Sequence, residues 1–274
     1  MLAEMIAQPF MRHALIAGTV IALACGFTGY FIVLRGQLFA GDALSHVAFT
    51  GTLAALLVGL DPRVGLFAGT VLVALILAVL GSKAGADDVA IGSVFAFVLG
   101  LGVLFLSLFT SSMSSTRSSI GSATLFGSIL GLDAEAVVLI CVVGGAAIAA
   151  LVTIARPLLF ATLDEGVAGA RGVPTRAVGT AFLVLVAVVA AEAAQAVGAL
   201  LLLGLLAAPA AAAQAVTHRP YRAMGLSMVL AVASMWGGLL VSYAVPSAPP
   251  SFAVIAIASA TYAAAGGIAR LRRA

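Results

Sequence analysis

AVVLICVVGGAAIAALVTIA, residues 136–155, is twenty residues long and holds no charged side chain. At 1.5 Å per residue a helix over it is about 30 Å long, the thickness of a bilayer's hydrocarbon core. In lipid every backbone N–H and C=O must be satisfied within the structure, and a helix does this by itself. Similar runs recur over 13–34, 40–60, 63–81, 89–110, 177–195, 197–216, 223–245 and 252–269, with a shorter apolar piece near 120–131. Of the 274 residues 63% are hydrophobic and 8% charged, a balance that excludes a soluble domain. The expectation is one all-α domain over 1–274, a polytopic transmembrane bundle of about eight to ten helices.

The opening MLAEMIAQPFMRHALIAG lacks the charged start, short apolar stretch and cleavage site of a secretory signal, so its apolar run is expected to stay as a helix. Cys25 and Cys141 lie far apart within apolar runs. They give neither a disulfide framework nor a metal-binding pair and read as packing residues. The net charge is +3, but the basic residues are spread thinly between apolar runs, which points to membrane orientation and not to nucleic acid. Arg156, Arg171, Arg176, Arg219, Arg222, Arg270, Arg272 and Arg273 share one side if the second-half spans alternate. The positive-inside rule makes that side, and the C-terminus with it, cytoplasmic. The first half stays open. A crossing at 120–131 puts Arg12, Arg63 and Arg117 inside, whereas a re-entrant or surface piece puts Arg35 and Lys83 there. About thirteen residues fall short of a hydrocarbon core, which favours the second arrangement.

Four hydrophilic interruptions divide the chain. SSMSSTRSS (111–119) reads as a solvated loop, VPSAPP (245–250) as a stiff external turn, and THRPYR (217–222) as a short basic internal loop. ARPLLFATLDEGVAGARGVPTRA (155–177) is long enough for a short helix starting near Thr162. Asp164 and Glu165 would lie in its first turn, and Gly172 and Pro174 would end it. It is either a compact cytoplasmic protrusion or a solvated connector.

GDALSHVAFTG (41–51) carries the polar residues that most need a reason. At 3.6 residues per turn Asp42 and His46 project from one face, with Ser45, Phe49 and Thr50 beside them. An ionisable side chain at a helix centre in lipid costs roughly 2.5–3.5 kcal/mol on insertion scales, so such groups face a cavity or a partner. Carboxylate and imidazole suit zinc, manganese or iron(II), and donors four apart can hold one ion without bending the backbone. The alternative is that Asp42 caps the helix and His46 bonds a neighbouring helix.

The order of FIVLRGQLFAGDALSHVAFTG (31–51), DDVAIGSVFAFVLGLGVLFLS (87–107), LFGSILGL (125–132), LDEGVAGARGVP (163–174) and QAVGALLLLGLLAAPAAAA (195–213) resembles the permeases of bacterial zinc, manganese and iron importers, the ABC-3 family. The resemblance runs over nearly the whole chain. It implies a type II ABC importer-like permease, multi-pass in the bacterial plasma (inner) membrane. It also implies that two copies pair as a homodimer, that each docks a cytoplasmic ABC ATPase, and that an extracytoplasmic binding protein delivers the metal. By the same resemblance Asp42 and His46 become transient ligands on the path, and Leu163, Asp164, Glu165, Val167, Ala168, Gly169 and Gly172 belong to the coupling segment. The expected cargo is a divalent metal, zinc first and manganese next, with no permanently bound cofactor. The chain has no Gly-x-x-x-x-Gly-Lys-Ser/Thr phosphate loop of its own, so it is not expected to be an enzyme.

A secondary, proton-coupled transporter is the second reading, with Asp42 and His46 relaying protons. Glu192 and Gln195 are expected in a short external or interfacial turn between two helices, with a pore-lining role as the alternative. His13 and His218 are expected at headgroup level. Asp87 and Asp88 read as helix caps, and Asp133 and Glu135 as solvated residues or a cation-attracting mouth.

Overall fold

A computed structural model describes residues 8–80, 88–112, 127–199, 202–245 and 247–271. Among the described residues ten α-helices follow in chain order: α1 Pro9–Leu34, α2 Leu38–Val58, α3 Pro62–Leu80, α4 Asp88–Ser112, α5 Ala134–Leu163, α6 Glu165–Ala170, α7 Thr175–Ala196, α8 Leu202–Val216, α9 Pro220–Ala244 and α10 Pro250–Leu271. A 3-10 turn at Ile129–Gly131 precedes α5. Eight helices are long and apolar enough to cross a membrane, and α8 is a shorter apolar one. The all-α bundle expected from the apolar runs is what forms.

Helix α1 is the hub. Ala14, Ala17, Ile21, Ala22, Cys25 and Phe31 are almost fully buried, packed with residues from α2, α5, α7, α8 and α9. Its C-terminus shows why the turn to α2 is so short. Gly36 has φ 66°, its N–H donates to Val33 O, and the Gln37 N–H donates to Ile32 O. This left-handed glycine closure lets Arg35, Gly36 and Gln37 alone reverse the chain. Helices α2 and α3 touch backbone to backbone at Gly51 and Gly65, where a Cβ on either would overlap the other's carbonyl oxygen. Glycine is required there to bring the two axes so close.

The ends of the bundle are fixed by contacts between them. The Arg35 Nη1 donates to Thr162 Oγ1 near the end of α5, and Gln214 Nε2 of α8 donates to Tyr30 O. The end of α1, the segment 164–174 and the loop 217–219 therefore lie together. Gly204 and Ile255, each near the start of its helix, touch, so α8 and α10 run parallel and the end of α10 joins the same group. At the opposite end Arg63, at the start of α3, reaches Asp133 and Glu135 at the start of α5.

Helix α4 runs parallel to α2, because Phe95 lies by Phe39 and His46 while Val98 O meets Thr50. It thus ends on the side of the bundle where α5 begins, and Arg35 falls with the other basic loops. The apolar piece at 120–131 lies outside the described residues up to 126. Lys83, Arg117, Asp87, the solvated loop from 113 onward and the side chain of Asp88 also lie outside the described residues.

Three expectations need correction. Residues 156–163, read as the start of a cytoplasmic segment, continue α5 past Pro157 to Leu163, because the run PLLFATL keeps its apolar side against the bundle at Leu158 and Ala161. The short helix consequently begins at Glu165, not near Thr162. Glu192 and Gln195 do not form a turn: they lie within the last turns of α7. The chain turns later, at Gly198 with φ 92°, under the 127–131 segment, whose Ser128 N–H donates to Gln195 O. That buried reversal separates α7 from α8, which is described from Leu202.

Candidate metal site and coupling segment

Helix α2 begins at Leu38 with Gln37 as N-cap, so Asp42 lies inside the helix and caps nothing. Asp42 and His46 share one face, with His46 Nε2 4.0 Å from Asp42 Oδ1. Their side chains are 25% and 17% exposed, respectively, so neither is sealed within the bundle. Two donors on one tetrahedral ion, at bonds of about 2.0–2.2 Å, stand roughly 3.4 Å apart. A small rotation of either side chain therefore seats a single ion between them.

The neighbours grouped with this pair have other duties. Ser45 is fully buried and its hydroxyl donates to Asp42 O at 2.7 Å. Thr50 Oγ1 lies 3.3 Å from His46 O and 3.2 Å from Val98 O, pinning α4 to α2. Phe49 packs among Ala48, Leu53, Leu66, Ala191 and Ala194. The His46 ring meets Phe95 at 5.3 Å between centroids and a 50° tilt, a contact the sequence did not announce. Among the described residues no group of three His, Cys, Asp or Glu side chains is placed to hold a metal.

The segment 163–172, expected to couple to a partner, is a separate small unit. Asp164 Oδ1 accepts from the Val167 N–H at 2.9 Å, capping α6, and Glu165 sits in its first turn. Gly172, with φ 81°, closes it by the same left-handed device used after α1. Ala168 is buried against the bundle, whereas Leu163 and Val167 are exposed and Gly169 has nothing near its Cβ position. The helix thus presents an apolar, small-residue outer side.

Arg35 sits where α1, α2, α5 and α7 converge. Its Nε donates to Gln37 Oε1 and its Nη1 to Thr162 Oγ1, each at 3.2 Å, and its guanidinium carbon lies 5.7 Å from the Phe182 ring centroid. Burial pulls the guanidinium below its ordinary range, and the Glu165 carboxylate opposes that shift. Nothing in the sequence pattern singled Arg35 out beyond orientation, because a lone arginine between two apolar runs looks like any loop charge.

Glu192 is 1% exposed and faces α1 and α5: a Cβ on Gly144 would stand 2.8 Å from its Oε2 and 2.6 Å from Val20 Cγ1. The Glu192 carboxyl lies against the Gly144 backbone, but neither of its oxygens, nor Gln195 Nε2, makes a well-aligned hydrogen bond. Asp133 caps α5 through the Ala136 N–H and, with Glu135, pairs with Arg63. His13 Nδ1 meets Leu132 O at 3.2 Å, and His218 is exposed.

A profile of the ABC 3 transport family matches residues 7–266. The chain belongs to this family. It is a multi-pass membrane component of an ABC transporter, a permease and not an enzyme. This ABC 3 permease is 27% identical over 235 residues to the "Manganese transport system membrane protein MntC" of Halalkalibacterium halodurans, covering 85% of this chain and 77% of that one. It is 23% identical over 243 residues to the "Probable iron transport system membrane protein" of Haemophilus influenzae, covering 88% of each. Among solved structures, "PsaBC from Streptococcus pneumoniae in complex with Fab" superposes with a TM-score of 0.84 at 26% identity, covering 99% of this chain and 100% of that one.

Proposed function

We propose that this permease carries a divalent transition metal into the cytoplasm, manganese first, with iron and zinc next. Asp42 and His46 act as transient ligands, and a partner ATPase docks on 163–172 and powers the cycle. The observation that carries the reading is the half-open Asp42–His46 pair, 4.0 Å apart on one face of α2. Manganese replaces zinc as first choice because the relatives above are named for manganese and iron transport, and one oxygen and one nitrogen donor per chain are compatible with all three ions. The proton-coupled reading loses its ground with family membership.

Two donors per protomer are too few for a path site, so a second copy facing the first supplies the other two, four in all. The site must release as readily as it binds, and a pair on each of two separable chains does so when the chains part. Arg35, Arg171, Arg176, Arg219 and Arg222 gather at one end of the bundle, against Arg12 and Arg63 at the other. That bias supports the Arg35 end, the coupling segment and the C-terminus as cytoplasmic. An extracytoplasmic binding protein then delivers the ion at the Arg63 end.

The test is uptake by the complex reconstituted in vesicles with its ATPase and delivery protein, manganese, iron and zinc competing. Uptake of manganese that iron and zinc suppress, and that stops without ATP, is the expected result. Uptake by the isolated permease driven by a proton gradient alone would refute the reading.

A further inference from the structure

The metal pair and the coupling segment lie on different helices, and the Arg35 side chain bridges the two. Asp42 follows the Arg35–Gly36–Gln37 turn by only five residues. Gln37 is 8% exposed, and its carbonyl accepts from the N–H groups of Ala40 and Gly41, so the position of Gln37 sets the first turn of α2 and the direction of Asp42. Arg35 Nε holds the Gln37 side chain while Nη1 holds Thr162. Thr162 is itself tied to Leu158 O at 2.6 Å and stands two residues before Asp164, the cap of α6.

The far side of this link has a natural hinge. Pro157 lies inside α5, where it removes one helical hydrogen bond and crowds the preceding turn, the usual origin of a bend. The piece from Leu158 through α6 can therefore tilt as a unit relative to the rest of α5. The connection from α1 to α2 offers no such slack, being three residues with a left-handed glycine at its centre.

We infer that Arg35 is the positioning residue that passes movement of the coupling segment to the metal-ligating helix: displacement of Thr162 draws the guanidinium, which draws Gln37 and reorients Asp42 against its partner across the dimer. The inference rests on the proposed metal-importer function. Arg35 touches no metal. Its planar, multiply donating head reaches two acceptors at once while lying by Phe182, which a lysine ammonium matches only in part.

The experiment uses the reconstituted complex with its ATPase and delivery protein, comparing wild type with Arg35→Met, Arg35→Lys and Thr162→Val. Manganese uptake per ATP hydrolysed, basal ATPase rate and manganese affinity of the purified complex are measured together. Arg35→Met is expected to lower uptake per ATP about tenfold, within the range of measured site-to-site couplings, with basal ATPase and manganese affinity within about twofold of wild type. Arg35→Lys recovers part of the loss, and Thr162→Val shows a smaller loss of the same kind. Unchanged uptake per ATP in both Arg35→Met and Thr162→Val overturns the inference. So does a parallel fall in manganese affinity, which would make Arg35 part of the binding site. If Arg35→Met fails to assemble, Thr162→Val alone decides, since it removes one hydroxyl and keeps the shape. A wild-type complex that moves no divalent metal refutes the proposed function instead, and Asp42→Ala supplies the control that abolishes uptake with Arg35 intact.

Discussion

A carboxylate and an imidazole on a helix inside a bilayer are costly unless something replaces the water they lose. Asp42 and His46 both stay partly open, so neither side chain is sealed among its own helices and each remains able to meet a further group. Asp42→Ala or His46→Ala should cut metal uptake about a hundredfold or more, at or beyond the roughly tenfold to hundredfold cost of losing only a hydrogen-bond partner of a ligand, while co-purification with the ATPase is retained; uptake near wild-type levels in both variants would end the ligand assignment. The pair was legible because its spacing alone places both residues on one helix face. Glu192 was not legible, because AEAAQAVG has the small residues and polar pair of a turn, and only tertiary packing shows α7 running through it. Its carboxyl is buried with no well-aligned hydrogen bond beyond its contact with the Gly144 backbone, an arrangement in which an unbranched apolar side chain of similar size is preferred by about 1–3 kcal/mol. Glu192→Met is therefore expected to raise the thermal unfolding midpoint of the purified permease, and a lowered midpoint would show that the carboxyl holds the helices together.

At the scale of elements, helix identity came directly from apolar length, since a run of about twenty residues in lipid has no alternative to helix. Boundaries were another matter. The end of α5 is set by Leu158 and Ala161 packing on the bundle and the end of α7 by the 127–131 segment lying over it, and neither influence leaves a local signature. The short α6 was legible in outline from Asp164, Glu165 and Gly172, each with a local role in starting or ending a helix. Its geometry makes a clean test possible. Gly169 has open space where a side chain would go, so Gly169→Asp adds a charge without disturbing the permease itself. The variant should fold with an unchanged unfolding midpoint yet lose the ATPase in a pull-down. Loss of both would mean that the residue serves the fold, and retention of the ATPase would remove α6 from the interface.

On the scale of the whole molecule, the unanswered demand is for two more donors. Among the described residues no third His, Cys, Asp or Glu approaches Asp42 and His46 within one chain, and the exposed Phe39 lies one helical turn before Asp42 on the same face of α2. An apolar surface beside a half-open ligand pair is what a facing copy would cover, bringing its own Asp42 and His46 opposite the first. This arrangement fixes a stoichiometry that sequence cannot supply, because a chain read alone shows one pair whether the site is shared or not. The assembled transporter should bind one manganese ion in the membrane per two permease chains, counted by elemental analysis of the purified complex without its delivery protein. In a mixed assembly of wild-type and Asp42→Ala chains, a complex with a single altered copy should already have lost most of that binding, since it keeps only three of four donors. One ion per chain, or half the binding retained in the mixed complex, would mean that each protomer carries its own site and that the missing donors are water.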